Sequence, residues 1–236
     1  MFFKFKFLQK YKCEFNFVQL PNLKVALPLF LQKEYPCNLS LYVWKIEEQL
    51  PFFEKFLLEE EKKHLSTITQ HHKKLEFAAV RYLASSICQK FLFYSYKGID
   101  KDENGKPSFR GISYEISISH CLPYVAIALH ESQSVGVDIE QEQEKLLIIA
   151  PRVFSQEEVL FCENNLRKAC IIWACKETLY KIYAKKGLIF QKDLLVSNFQ
   201  ENDTIIQAKI CTAHYRQNYL LHHEELTEGV HLCCGM

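Results

Sequence analysis

The chain has 236 residues, 29 Lys and Arg against 28 Asp and Glu for a formal net charge of +1, and 48% hydrophobic residues. That length suits one domain or two small ones with a sizeable core, the apolar content excludes a disordered chain, and the balanced charge gives no global pull toward nucleic acid or acidic membranes. Ten cysteines without framework spacing or a CxxC pair point to reduced thiols in a cytoplasmic protein, not to a disulfide scaffold or a zinc site.

The N-terminus alternates Phe3, Phe5 and Phe7 with Lys4 and Lys6. Lysines interrupt any apolar run there, so the pattern predicts a strand and not a signal peptide, and no window reaches the length of a membrane span. Residues 1–38, broken by Pro21, Pro28 and Pro36, read as an N-terminal extension that covers a sheet edge or, on a sharper reading, offers a docking surface. Leu39 to Ile46 reads as a strand. Pro51 suits the first turn of a helix running to about Leu65, and a second helix covers roughly Thr67 to Tyr94, carrying Lys73, Lys74 and Arg81. A turn-rich stretch, Lys97-Gly98 to Asn104-Gly105-Lys106-Pro107, precedes strands near Ile112–Ser119, Tyr124–His130 and Val135–Glu140. Ser155 followed by Glu158 is a capping box, a helix spans about Arg167 to Lys185 with Gly187 as its C-cap, and the tail after Asp193 alternates as two or three strands.

Two runs carry the chemistry. In Val135-Gly136-Val137-Asp138-Ile139-Glu140 the period of two sends Asp138 and Glu140 to one face, roughly 6–7 Å apart along the strand. Paired carboxylates on a mostly apolar strand repel each other and are costly to desolvate, and a cation relieves both costs. Oxygen ligands at this spacing suit Mg²⁺, which keeps positions for water and substrate phosphate. In Trp173-Ala174-Cys175-Lys176-Glu177-Thr178-Leu179-Tyr180-Lys181, steps of four place Trp173, Glu177 and Lys181 along one flank of a helix. A third carboxylate and a cation are thus offered together, which is equipment for a phosphate or pyrophosphate. Standing alone, Asp138 and Glu140 would suit a solvated strand face, Glu177 and Lys181 an ordinary helix pair, and Trp173 a core anchor.

Two further stretches join them: Asn104-Gly105-Lys106-Pro107-Ser108-Phe109 and Ile116-Ser117-Ile118-Ser119-His120. In order, GKPxF, ISISH, VGVDIE, FSxxE and WxxKExxxK followed by KGL resemble the 4′-phosphopantetheinyl transferase superfamily, most closely its Sfp-type members, over about Leu39 to Leu188. The resemblance implies an α+β fold of two similar α/β halves related by a pseudo-twofold, here 39–132 and 133–236, acting as a monomer. It implies Mg²⁺-dependent transfer of the 4′-phosphopantetheine group of coenzyme A to a serine of an apo acyl or peptidyl carrier protein, releasing adenosine 3′,5′-bisphosphate. Asp138, Glu140 and Glu177 would then hold Mg²⁺, with Glu177 the candidate base, and Lys181 would meet the pyrophosphate. Ser119 and His120 would meet the adenosine end, His120 on the 3′-phosphate, with Lys106 and Pro107 lining the adenine pocket and Arg81 on a phosphate. The resemblance leaves Lys176 and the lysines at 62, 63, 73 and 74 without individual roles. Two departures stand out: Ile139, which cannot ligate metal, lies between the strand carboxylates, and the extension 1–38 has no counterpart. The competing reading is a non-catalytic carrier-protein or coenzyme A binding module of the same fold. An unrelated Mg²⁺-dependent nucleotide enzyme would need a phosphate-cradling glycine loop, and no GxxxxGKS/T motif occurs.

Overall fold

The computed structural model describes residues 29–236; the strand expected at Phe3–Phe7 lies outside the described residues. No described helix is long and apolar enough to cross a membrane. The chain runs through β1 (Leu31–Tyr35), β2 (Leu39–Lys45), α1 (Leu50–Glu54), α2 (Glu59–Thr67), α3 (His71–Lys90), β3 (Ile99–Lys101), β4 (Pro107–Phe109), β5 (Glu115–Cys121) and β6 (Tyr124–His130). It continues through β7 (Gly136–Gln141), α4 (Lys145–Val153), α5 (Gln156–Cys162), α6 (Leu166–Tyr183), α7 (Phe190–Asp193), β8 (Leu194–Val196), β9 (Ile205–Cys211), β10 (Arg216–Thr227) and β11 (Val230–Gly235). Two antiparallel sheets result, ordered β1-β2-β6-β5-β4-β3 and β7-β11-β10-β9-β8. Leu31–Tyr35, inside the expected extension, is the edge strand of the first sheet and pairs with β2.

Several boundaries differ from the sequence expectation. The helix expected from Pro51 to Leu65 is two helices, because buried Phe53 and Leu57 turn the chain inward and α2 starts afresh, with Glu61 Oε2 accepting the Leu58 N–H at 3.0 Å. A carboxylate three residues inside a helix satisfies one of the free amides at its start. The helix starting after Ser155 does begin with the expected capping box: Ser155 Oγ accepts the Glu158 N–H at 3.2 Å, and Glu158 Oε2 accepts the Ser155 N–H at 2.7 Å. At the end of α6, Ala184 takes the left-handed conformation (φ 54°) expected of Gly187. The tail forms four strands, and α4 lies where no helix was expected.

Alternation along the strands builds three cores. Tyr42 and Trp44 of β2 and Val125, Ile127 and Leu129 of β6 pack with α3 in the first. Their neighbours Leu39, Leu41, Val43, Ala126 and Ala128 turn to the opposite face, where they meet Val137 and Ile139 of β7 and Leu232 of β11 in a core shared by both sheets. The third core lies between α6 and the second sheet. Each fully buried aliphatic side chain stabilises this arrangement by about 1.5–3 kcal/mol.

The seam between the sheets is polar. As the edge strand of its sheet, β7 would leave N–H groups without ladder partners, a costly arrangement when buried. Ser117 Oγ accepts the Val137 N–H at 3.0 Å and Ser119 Oγ accepts the Ile139 N–H at 3.1 Å. Two hydroxyls on β5 thus stand in for a missing strand and fix β7 beside it.

Candidate active site

The odd residues of β7 face the shared core, so its even residues Gly136, Asp138 and Glu140 face α6. Gly136 permits the contact: a Cβ there would lie 2.2 Å from the Thr178 carbonyl oxygen on α6. With the helix this close, the flank carrying Trp173, Glu177 and Lys181 lies over the strand carboxylates. Lys181 Nζ donates to Asp138 Oδ1 at 2.7 Å and to the Val137 and Ile118 carbonyls at 2.8 and 3.3 Å. Ser119 Oγ donates to the same Asp138 oxygen at 2.9 Å. Trp173 Nε1 donates to Glu140 Oε1 at 2.9 Å, so this indole, read from sequence as a core anchor, holds the second strand carboxylate.

The electrostatics of this cluster are unbalanced. Asp138 Oδ2 is buried with no hydrogen-bond partner among the described residues. Burial, then the charge of Asp138, pushes the Glu140 carboxyl up to about 7. Glu177 is likewise pushed up to about 7 by burial and by Asp138 and Glu140, with Lys181 opposing. One ammonium therefore does not compensate three carboxylates in a shared, partly dry space. Among the described residues no three His, Cys, Asp or Glu side chains are arranged so as to hold a metal ion. The donor set is nonetheless one a hard divalent cation takes: oxygen ligands, one of them without a partner, with room for water and substrate oxygens.

Beside the cluster opens a cleft of about 720 Å³, walled by α2, α3, β5, the 104–107 turn and the C-terminal end of α6. Lys73, Arg81, Lys101, Lys106, Lys181 and Lys185 line it, against three glutamates, 60, 61 and 76. This local basic excess, in a chain of almost zero net charge, suits an anionic ligand. Of the lysines at 62, 63, 73 and 74, only Lys73 reaches the lining.

Neighbouring positions on a strand face opposite ways, so of Ser119 and His120 only His120 lines the cleft, while Ser119 is buried in the seam against Asp138. Pro107 and Lys106 line it as well, but the Lys106 ammonium is committed to Glu115 and to Ser134 Oγ, leaving its backbone and stem for a ligand. Arg81 stacks on the Phe77 ring, 3.8 Å from its centroid, and its Nε, 3.8 Å from Glu61, makes no hydrogen bond. Glu61 in turn accepts from the Tyr96 hydroxyl at 2.6 Å. Neither Glu61 nor Tyr96 stands out in the sequence, since their partners are 20 and 35 residues away.

Lys176, left without a role by its motif, lies away from the ligand space. It is fully buried, pairs with buried Glu158 at 2.8 Å, and donates to the carbonyls of Phe190, at 2.9 Å, and Leu194. Burial pushes its ammonium below the usual lysine range, with Glu158 opposing. FSxxE and WxxKE are therefore two ends of one buried contact that ties α5, α6 and the start of β8 together.

Residues 134–234 match the family model of the 4′-phosphopantetheinyl transferase superfamily. The match takes in Asp138, Glu140, Trp173, Glu177 and Lys181 and stops short of Arg81, Lys106 and His120 on the other wall of the cleft. A search of curated proteins returns no match.

Proposed function

We propose that this protein is a 4′-phosphopantetheinyl transferase that moves the phosphopantetheine arm of coenzyme A onto a serine of an acyl or peptidyl carrier protein, with Mg²⁺, leaving adenosine 3′,5′-bisphosphate. The observation that carries the reading is the juxtaposition of three carboxylates and Lys181 with a basic cleft, inside the stretch that matches the superfamily model. The order strand, helices, antiparallel strands in each half supports a pseudo-twofold relation between them.

Asp138, through its free Oδ2, together with Glu140 and Glu177, would hold the Mg²⁺. When bound, the ion neutralises pyrophosphate oxygens and favours departure of the bisphosphate. The rest falls to the chain. Ser119 and Trp173 keep the two strand carboxylates in fixed rotamers, so little reorganisation accompanies the reaction. Lys181, on the rim between the carboxylates and the cleft, offers its ammonium to charge developing on the phosphates. Arg81 and His120 grip the distal phosphate end of the ligand across the cleft, which aligns the scissile bond; such alignment supplies much of a phosphoryl transfer. The carrier serine loses its proton as it attacks. Glu177 is our candidate to receive that proton, directly or through a water.

Intact-mass spectrometry of an apo carrier protein incubated with this enzyme, coenzyme A and Mg²⁺ tests the reading. A gain of one phosphopantetheine that needs Mg²⁺ and is lost in Glu177→Ala supports it. Coenzyme A binding without any mass gain across fatty-acid, polyketide and peptide carriers favours a binding module. Absence of both coenzyme A binding and mass gain refutes it.

A further inference from the structure

The cleft wall holds a carboxylate that an anion-binding site should not want. Glu76, on α3, lines the cleft yet is only 6% exposed. Its Oε2 accepts a hydrogen bond from Lys73 Nζ at 2.8 Å and lies 3.3 Å from His120 Nδ1, on β5. A buried negative charge facing an anionic ligand repels it, and a carboxylate at such a place is costly unless its partners need it. His120 is the partner that benefits. Its side chain is 40% exposed, and its imidazole can rotate and exchange tautomers unless one nitrogen is held.

Resting on the coenzyme A reading above, we propose that Glu76 is a positioning residue: it draws Nδ1–H of His120 inward, so that Nε2 is presented to a phosphate of the ligand. The proton for Nε2 is taken up as the phosphate binds, and Glu76 and the phosphate together stabilise the imidazolium. Lys73 and Lys181 are the cations facing the ring and oppose that charge, as does burial, so Glu76 is the one protein group that offsets them. Lys73 also donates to Oε2 and holds the carboxylate in place. The same logic recurs further along α3, where Arg81 has buried Glu61 of α2 3.8 Å from its Nε. Two cleft cations are thus each backed by a carboxylate behind the ligand surface, the arrangement by which an outer partner orients a ligating side chain.

Two measurements test this. Nitrogen-15 spectra of the histidines in the free protein should show His120 protonated at Nδ1, with the second nitrogen gaining its proton when coenzyme A is added. A dominant Nε2–H tautomer in the free protein overturns the proposal without any variant being needed. In steady-state kinetics with coenzyme A and 3′-dephospho-coenzyme A, Glu76→Gln should raise KM for coenzyme A about tenfold, leave kcat within about threefold, and leave the dephospho substrate unchanged, because only a charge-assisted contact is weakened. Equal losses on both substrates, or undiminished preference for coenzyme A, overturn it. Retention of the Nδ1 signature in a protein that binds no coenzyme A supports the positioning of His120 and overturns the coenzyme A reading, so the two failures are distinct.

Discussion

Gly136 is where a single methyl group tests the geometry of the site. It pairs with Gly235 across the β7–β11 ladder, so the two glycines occupy one rung and both lie near Ile182, yet their nearest neighbours differ. A Cβ at Gly136 would stand 2.2 Å from the Thr178 carbonyl oxygen, 2.9 Å from Ile182 Cγ1 and 3.1 Å from the Thr178 carbonyl carbon. A Cβ at Gly235 would stand 2.5 Å from Leu221 Cδ2, the tip of a side chain that can rotate away. For Gly136→Ala the backbone of α6 must retreat by at least 0.8 Å to reach 3.0 Å. Overpacking of this kind costs about 1–3 kcal/mol, which for a chain of this length lowers Tm by roughly 2–12 °C. Glu177 and Lys181 flank the displaced helical turn, so the shift also opens the carboxylate cluster, and misplacement on the order of 1 Å costs about a hundredfold in rate. The assay is thermal unfolding, with and without Mg²⁺, beside carrier modification. Gly136→Ala should lose both the Mg²⁺-dependent rise in Tm and nearly all turnover, whereas Gly235→Ala should lose some stability and keep the metal response. Wild-type Tm and turnover in Gly136→Ala would refute the close approach of α6 to β7 and the mechanism built on it.

Three other perturbations separate roles. Glu140 and Glu177 each titrate near 7 in the fold against an ordinary 4.5, so their contribution is fully present below pH 4.5 and is lost as pH rises through 7. Ionising either costs the metal-free fold up to about 3 kcal/mol, and part of the Glu177 cost comes from the charge of Glu140. Urea midpoints should therefore fall from pH 5 to pH 8, recover with Mg²⁺ at pH 8, and flatten in Glu140→Gln/Glu177→Gln; the same pH slope in that double variant would show that other groups are responsible. Lys176→Met removes the counter-charge of Glu158, leaving its carboxylate only the Ser155 and Val196 N–H donors, takes a donor from two carbonyls, and should cost about 3–5 kcal/mol in urea unfolding, with Lys176→Met/Glu158→Gln recovering part of it. A loss below about 1 kcal/mol would show that the two amides suffice for the buried carboxylate. Ser119→Ala, which leaves Lys181 as the one side-chain donor to Asp138 among the described residues and strands the Ile139 N–H, should raise the Mg²⁺ concentration for half-maximal turnover while leaving KM for coenzyme A unchanged. The opposite pattern would place Ser119 at the adenosine end.

Period and spacing alone carry a good deal of this protein. Alternation in 135–140 puts Asp138 and Glu140 on one face, steps of four put Trp173, Glu177 and Lys181 on one flank, and the Ser155 capping box forms as written, because each depends only on the local pitch of strand or helix. Strand period also separates Ser119 from His120, which face opposite sides of β5. What required the tertiary structure is every relation across the chain: the serine hydroxyls of β5 standing in for a strand beside β7, Glu158 reaching Lys176, Glu61 behind Arg81, and Glu76 behind His120. In these pairs a buried polar group finds its partner on another segment, and no periodicity encodes which one. The end of α6 follows the same rule: the helix stops at Ala184 in the left-handed conformation (φ 54°), three residues before Gly187, whose own φ of 96° belongs to the loop beyond. Local geometry chose the chemical groups; burial decided which carboxylates lost water.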